Sequence, residues 1–172
     1  MTKLPRRVQR AYQGQERRPL SGYAVVLGTY TALVGLVTAA GRMSGKQLPE
    51  RIGLGDTVLV SVATHKASRL LTKEAVTSPL RAPFTRFQGP SGEAEINESV
   101  RGSGARHALG ELLTCPFCVG VWIASAMTAG LVLAPRATRL IATALTVVAL
   151  SDTLQISYDL AKQVLREHSE HS

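Results

Sequence analysis

Residues 112–135, LLTCPFCVGVWIASAMTAGLVLAP, decide the fold: the stretch holds both cysteines of the chain and no charged residue. As a helix rising about 1.5 Å per residue it reaches roughly 36 Å, against a hydrocarbon core of about 30 Å, so it is expected to cross a membrane. Pro116 suits the first helical turn, where a missing N–H costs nothing. The CPFC run then stands where the backbone enters the bilayer, with two thiols at a helix N-terminus. The partial positive charge there favours thiolate, the form that exchanges disulfides or binds metal.

Working outward, the charge distribution carries the same message. The 172 residues have a net charge of +8 and a mean hydropathy of only +0.08, which does not demand a membrane. Charges nevertheless avoid residues 19–41 as completely as they avoid 112–135. A nucleic-acid binder would gather basic residues on one folded face with stacking aromatics. Here the basic residues flank apolar spans, which points to membrane topology and anionic headgroups and away from nucleic acid. Residues 1–18, with six basic residues against Glu16, are a cytoplasmic anchor on that reading. Residues 20–40 form a first span on which Gly28, Ala32, Gly35 and Ala39 make a smooth seam for close helix packing. Gly120, Ala124 and Thr128 make a similar seam on the span at 115–134.

Residues 53–71 are harder to read, because Asp56, His65, Lys66 and Arg69 lie within them. Charges such as these cost roughly 2.5–3.5 kcal/mol each at the centre of a bilayer. Thr57, Ser61, Thr64 or His65, Ser68 and Thr72 follow a helical stripe able to face other helices. If this segment spans, 15 of the 20 basic residues fall on the cytoplasmic side, and if it lies on the surface only eight do. The positive-inside rule therefore selects four spans.

Downstream, residues 76–87 carry two prolines and read as an extended or re-entrant strip on the inner membrane face. Residues 88–104, rich in Gly, Ser and Glu, read as a flexible, disordered loop. After a short turn at 136–139, residues 140–158 form the last span, and 159–172 a polar helical tail. The expected fold is an all-α membrane protein: a small bundle of four transmembrane helices over 19–158 with a partly disordered cytoplasmic loop.

Depth along the spans brings polar groups together. His65 falls about 20 Å and Asp152 about 18 Å from the outer boundary, on two helices running the same way. An intramembrane polar pocket is expected from His65, Lys66, Arg69, Asp152 and Gln155, lidded by residues 79–84 and bordered by Cys115 and Cys118. The competing reading is a structural salt bridge, with Lys66 and Arg69 snorkelling to the headgroups. Trp122 reads as an interfacial anchor.

The segments THKASRLLTKEAVTSPLRAPFTRF (64–87), LLTCPFCVGVW (112–122) and SDTLQ (151–155) together resemble a family of small bacterial membrane proteins known as domain of unknown function 1360. The likeness covers roughly 53–158. It implies an integral membrane location and supplies no reaction, substrate or cofactor.

The functional expectation is a non-enzymatic assembly or interaction component of the bacterial envelope, in the plasma membrane with both termini cytoplasmic. Its partners would be the bilayer, anionic headgroups at the N-terminus, and a membrane protein or a second copy. Phosphate-binding and nucleophile-elbow motifs are missing from the sequence, and no cofactor is expected. Two alternatives stay open. In the first, Cys115 attacks and Cys118 resolves a mixed disulfide, although a cytoplasmic position is reducing. In the second, the two cysteines bind metal with His65 or His107 as a further ligand, a set that needs a second chain to be complete.

Overall fold

The computed structural model describes residues 18–45 and 47–170, together with Val8 and Tyr12. The basic segment expected over 1–18 lies almost wholly outside the described residues. Among the described residues from 18 to 170, six helices and one hairpin follow in order: α1 (Leu20–Met43), α2 (Leu54–Thr72), a 3-10 turn (Ala75–Thr77), α3 (Ser78–Arg81), β1 (Thr85–Gly92), β2 (Glu95–Val100), α4 (Gly104–Thr114), α5 (Pro116–Leu133) and α6 (Pro135–Glu170).

Three helices, α1, α5 and α6, are long and apolar enough to cross a membrane. Their large side chains face outward: Leu27 and Leu36 of α1, Phe117 and Val121 of α5, and Leu140 and Leu150 of α6 are exposed, while the buried apolar residues of the described chain are few and small, namely Val60, Ala63, Ala108, Val119 and Ala142. Such an inverted distribution is what lipid as solvent requires. The helices satisfy their own backbone groups, and small residues let them approach closely.

Proline sets both ends of α5. Cys115, extended at φ −108° and ψ 107°, separates α4 from α5, because the residue before a proline avoids the helical region. Ala134 plays the same part before Pro135. The turn expected at 136–139 is therefore already helical, and α6 runs unbroken to Glu170, through the expected boundary at 158.

Cross-contacts fix the directions. Asp56, Leu59 and Lys66 of α2 meet Arg139, Thr146 and Asp152 of α6, so these two helices run parallel. Thr64 and Ser68 of α2 meet Met127 and Gly120 of α5, so α5 runs against them. Tyr30 and Gly41 of α1 meet Trp122 and Leu133 of α5, so α1 runs with it. Helix α2 thus lies between α5 and α6, and its own composition keeps it outside the set of helices apolar enough to span alone.

Three features depart from the sequence-based expectation. The disordered loop expected over 88–104 is an antiparallel hairpin, with Thr85 opposite Val100 and Gly92 opposite Glu95 and register shifts after Phe87 and Pro90. The protein is accordingly helical with a small two-stranded sheet, not all-α. The strip at 76–87 folds into the 3-10 turn, α3 and the start of β1. The glycine seam of α1 also differs. Space lies open around Gly28 and Gly35, whereas a Cβ on Gly22 would come within 2.4 Å of the Gly104 carbonyl oxygen.

Candidate functional site

The acid of α2 stands at its start and the bases in its second half. At its first turn, Asp56 accepts two hydrogen bonds from Arg139 of α6, at 2.8 and 2.7 Å. This bidentate geometry is the strong form of an arginine–carboxylate pair. Ten residues later, about 15 Å along the axis, Lys66 Nζ lies 2.8 Å from Asp152 Oδ2 and also pairs with Glu74. One lysine thus joins the end of α2, the middle of α6 and the chain that leaves α2.

Of the residues expected in one pocket, Lys66 and Asp152 meet. Arg69 turns instead to the hairpin, where Glu95 accepts from it in a bidentate pair at 3.0 and 2.7 Å. His65 is exposed on α2. Gln155 is exposed on α6 and donates to Ser151 of its own helix at 3.3 Å. The five therefore form no single constellation. Helical geometry explains part of the divergence, since His65 sits about 100° around α2 from Lys66; Gln155 shares a face with Asp152 but spends its amide on Ser151 of its own helix.

Residues 79–84, expected as a lid, hold the most buried polar group of the described chain. Arg81 is fully buried and pairs with Glu98, itself only 5% exposed. Its remaining N–H groups donate to the Leu71 carbonyl at 2.8 Å, Thr77 Oγ1 at 2.6 Å and the Glu74 carbonyl at 3.1 Å. A buried guanidinium is tolerable because its donors are taken up this way. Pro83, on the same stretch, offers its carbonyl to Arg101 at 3.2 Å and to Arg106 at 3.0 Å. Backbone bonds complete the cap: Ile96 donates to the Lys73 carbonyl, Ala75 to Ala94 and Arg101 to Phe84.

Sequence reasoning missed Arg81, Glu74, Glu95 and Glu98. The signal was a local near-balance of charge in a basic chain: residues 66–98 hold five basic residues against four glutamates. Depth arithmetic would also have paired Asp56 with Arg139.

Cys115 caps α5, its Sγ accepting from the Cys118 backbone N–H at 3.2 Å. Both thiols are free, Cys115 half-buried and Cys118 exposed. Nearby, Glu111 of α4 ties down the start of α1, accepting from Tyr23 Oη at 2.6 Å and Arg18 at 3.1 Å, with His107 Nε2 at 3.5 Å. Among the described residues no three His, Cys, Asp or Glu side chains are grouped to hold a metal ion. Trp122, expected at the interface, packs edge-on to Tyr30 at 5.1 Å, and Tyr30 Oη lies 2.7 Å from Ser125 Oγ.

A groove of about 420 Å³ opens elsewhere, toward the opposite end of α2 from Lys66. Thr57, Ser61 and Thr64 of the predicted hydroxyl stripe line it, facing Ala124 and Thr128 of α5. Ser68 and Thr72, lower on the same stripe, are buried.

In comparison with known proteins, no solved structure matches the chain. Over 70 residues it is 37% identical to Sporulation protein YjcA of Bacillus subtilis (strain 168), an overlap covering 39% of this chain and 59% of that protein. The chain thus spans about three-fifths of the length of that relative. The family described as Protein of unknown function (DUF1360) matches residues 59–158, a stretch that holds Lys66, Arg81, the hairpin, the CPFC turn and Asp152, and the chain belongs to this family.

Proposed function

We propose that the protein is a non-enzymatic assembly component of the bacterial envelope, a four-span plasma-membrane protein whose cytoplasmic cap is held rigidly for a membrane-protein partner to engage. One observation carries this reading: three cationic side chains at the end of α2 and in the cap are engaged by carboxylates of other elements. Lys66 holds Glu74 and Asp152, Arg69 holds Glu95, and Arg81 holds Glu98. Side chains committed to one another in this way position elements and are not free to act on a substrate. The Bacillus subtilis relative is named a sporulation protein, which supports a role in a bacterial cellular process of that kind.

The four-span arrangement is supported by the setting of α2. Its 19 residues reach about 28 Å. It lies between two apolar helices, and its ion pairs with α6 offset the insertion cost of Asp56, Lys66 and Asp152. With α2 across the bilayer, the cap, the thiols and both termini share the side that holds most of the basic residues.

The test combines topology with tolerance. Cysteines introduced singly in the hairpin and at residues 46–50 should react with impermeant maleimide from opposite sides of the membrane. In a deletion strain, Cys115→Ser with Cys118→Ser should preserve the native membrane complex and the cellular phenotype, while Lys66→Ala should lose both. Loss of the phenotype in the serine variant with its complex intact would overturn the non-enzymatic reading.

A further inference from the structure

Helix α6 turns one face to α2 through Ala142 and Asp152, and the face directly opposite is uncovered along its whole length. Leu140, Ala144, Val147 and Ser151 follow one another there at spacings of four, three and four, all exposed. Leu154, Tyr158, Ala161 and Leu165 continue the same alternation, with Leu154, Tyr158 and Leu165 at 72%, 65% and 70% exposure. The seam spans 26 residues, about 39 Å, and no glycine or proline interrupts the helix after Pro135.

Lipid can cover the upper half of this seam but not the lower. Asp152 lies level with Lys66, six residues from the end of α2, so with α2 across the bilayer Tyr158 stands at the membrane boundary and Leu165 about 10 Å beyond it, in water. A 4–3 spacing held without a slip over nearly four heptads is the pattern by which one helix mates with an equivalent helix in a left-handed coiled coil. Contact with lipid tails imposes no such period.

We propose that the protein forms a parallel two-fold homodimer along α6, in which Leu154, Tyr158, Ala161 and Leu165 of each copy meet their equivalents. Both copies enter the membrane in the same direction, so the pairing is parallel, and a two-fold axis along the seam makes it self-complementary. The charges agree. In a parallel pair, Ser157 borders Lys162 of the other copy and Val164 borders Ser169, so no like charges oppose each other across the seam. Asp159, Arg166 and Glu167 point away from it. Lys162 lies over the Tyr158 ring at 4.8 Å, its stem flanking the apolar strip. The dimer shares with the reading above the premise that α2 crosses the bilayer, and rests otherwise on the helix spacing and not on what the cap engages.

Disulfide scanning in native membranes tests it. In the Cys115→Ser, Cys118→Ser background, Leu154→Cys, Ala161→Cys and Leu165→Cys should each give a band of twice the chain mass on mild oxidation. Yields should be several-fold above those of Asp159→Cys and Gln163→Cys on the other face. Equal yields on both faces, no band at the seam positions, or adducts to a different protein there would overturn the proposal. As a second measurement independent of that background, the wild-type chain in lipid particles should count as two copies and the Leu154→Glu, Leu165→Glu variant as one. A wild-type count of one would refute the dimer.

Discussion

Removing the Arg81 guanidinium should release the cap while leaving the membrane helices in place. Arg81 is fully buried, Glu98 is 5% exposed, and three further acceptors depend on the same side chain. Breaking a buried ion pair by deleting one partner costs about 3–5 kcal/mol, because the remaining charge stays desolvated. The orphaned Leu71 and Glu74 carbonyls add to this, at up to about 1–3 kcal/mol for each group left unsatisfied. Even the lower bound of about 3 kcal/mol corresponds to more than a hundredfold rise in the open population of the hairpin. Amide hydrogen exchange of the purified chain in lipid particles reads this directly. In Arg81→Ala, peptides covering 85–100 should exchange more than about a hundredfold faster, while those from α5 and α6 stay unchanged. Removing both charges, as Arg81→Met with Glu98→Met, should recover much of the lost protection, since an apolar pair leaves no buried charge. Hairpin exchange within about threefold of wild type in Arg81→Ala, a change of less than ~1 kcal/mol, would refute the claim that this ion pair holds the cap.

Two further perturbations probe the helix contacts. Gly22→Val should force α1 away from α4, because even a Cβ would sit 2.4 Å from the Gly104 carbonyl oxygen, whereas Gly28→Val meets open space. Cross-linking between residues 23 and 111 should fall only in the first variant. Because Lys66 holds two carboxylates, Asp152→Asn should loosen α6 from α2 and Glu74→Gln should loosen the cap, each leaving Lys66 one charged partner. The double variant strands a partly buried lysine and should lower the thermal midpoint by more than the two single changes combined, measured by fluorescence-detected aggregation. Simple additivity would show that the two contacts act independently.

The helices were legible because their signals are local. An uncharged run, a proline in the first turn and the length of a bilayer crossing place α1 and α5 within a few residues of their observed ends. Helix α2 was legible as a helix, though its charges hide how it sits. The hairpin was not legible. Strands of the sequences TRFQGPSG and EINESV lack an apolar alternation, and their Gly and Ser content resembles that of a flexible loop. What orders them is remote in sequence: Arg69, Arg81 and the backbone of Lys73 and Ala75. The candidate site divides the same way. Lys66 and Asp152 follow from rise per residue along two helices, but Arg69 is diverted to Glu95, a residue whose position depends on the unread hairpin.

The cap also governs how the folded chain avoids sticking to its neighbours. Strand β2 is paired with β1 on one side, and on the other its first residues and the adjoining Ala94 are stitched to Lys73 and Ala75. Among the described residues no further strand pairs with β1, so β1 carries the longer open sheet edge. That edge is poorly suited to templating: Pro90 offers no donor, and two register shifts with Gly89 and Gly92 break its regularity. Edge-to-edge polymerisation of the kind that exposed strands invite is thereby blunted without a protecting helix.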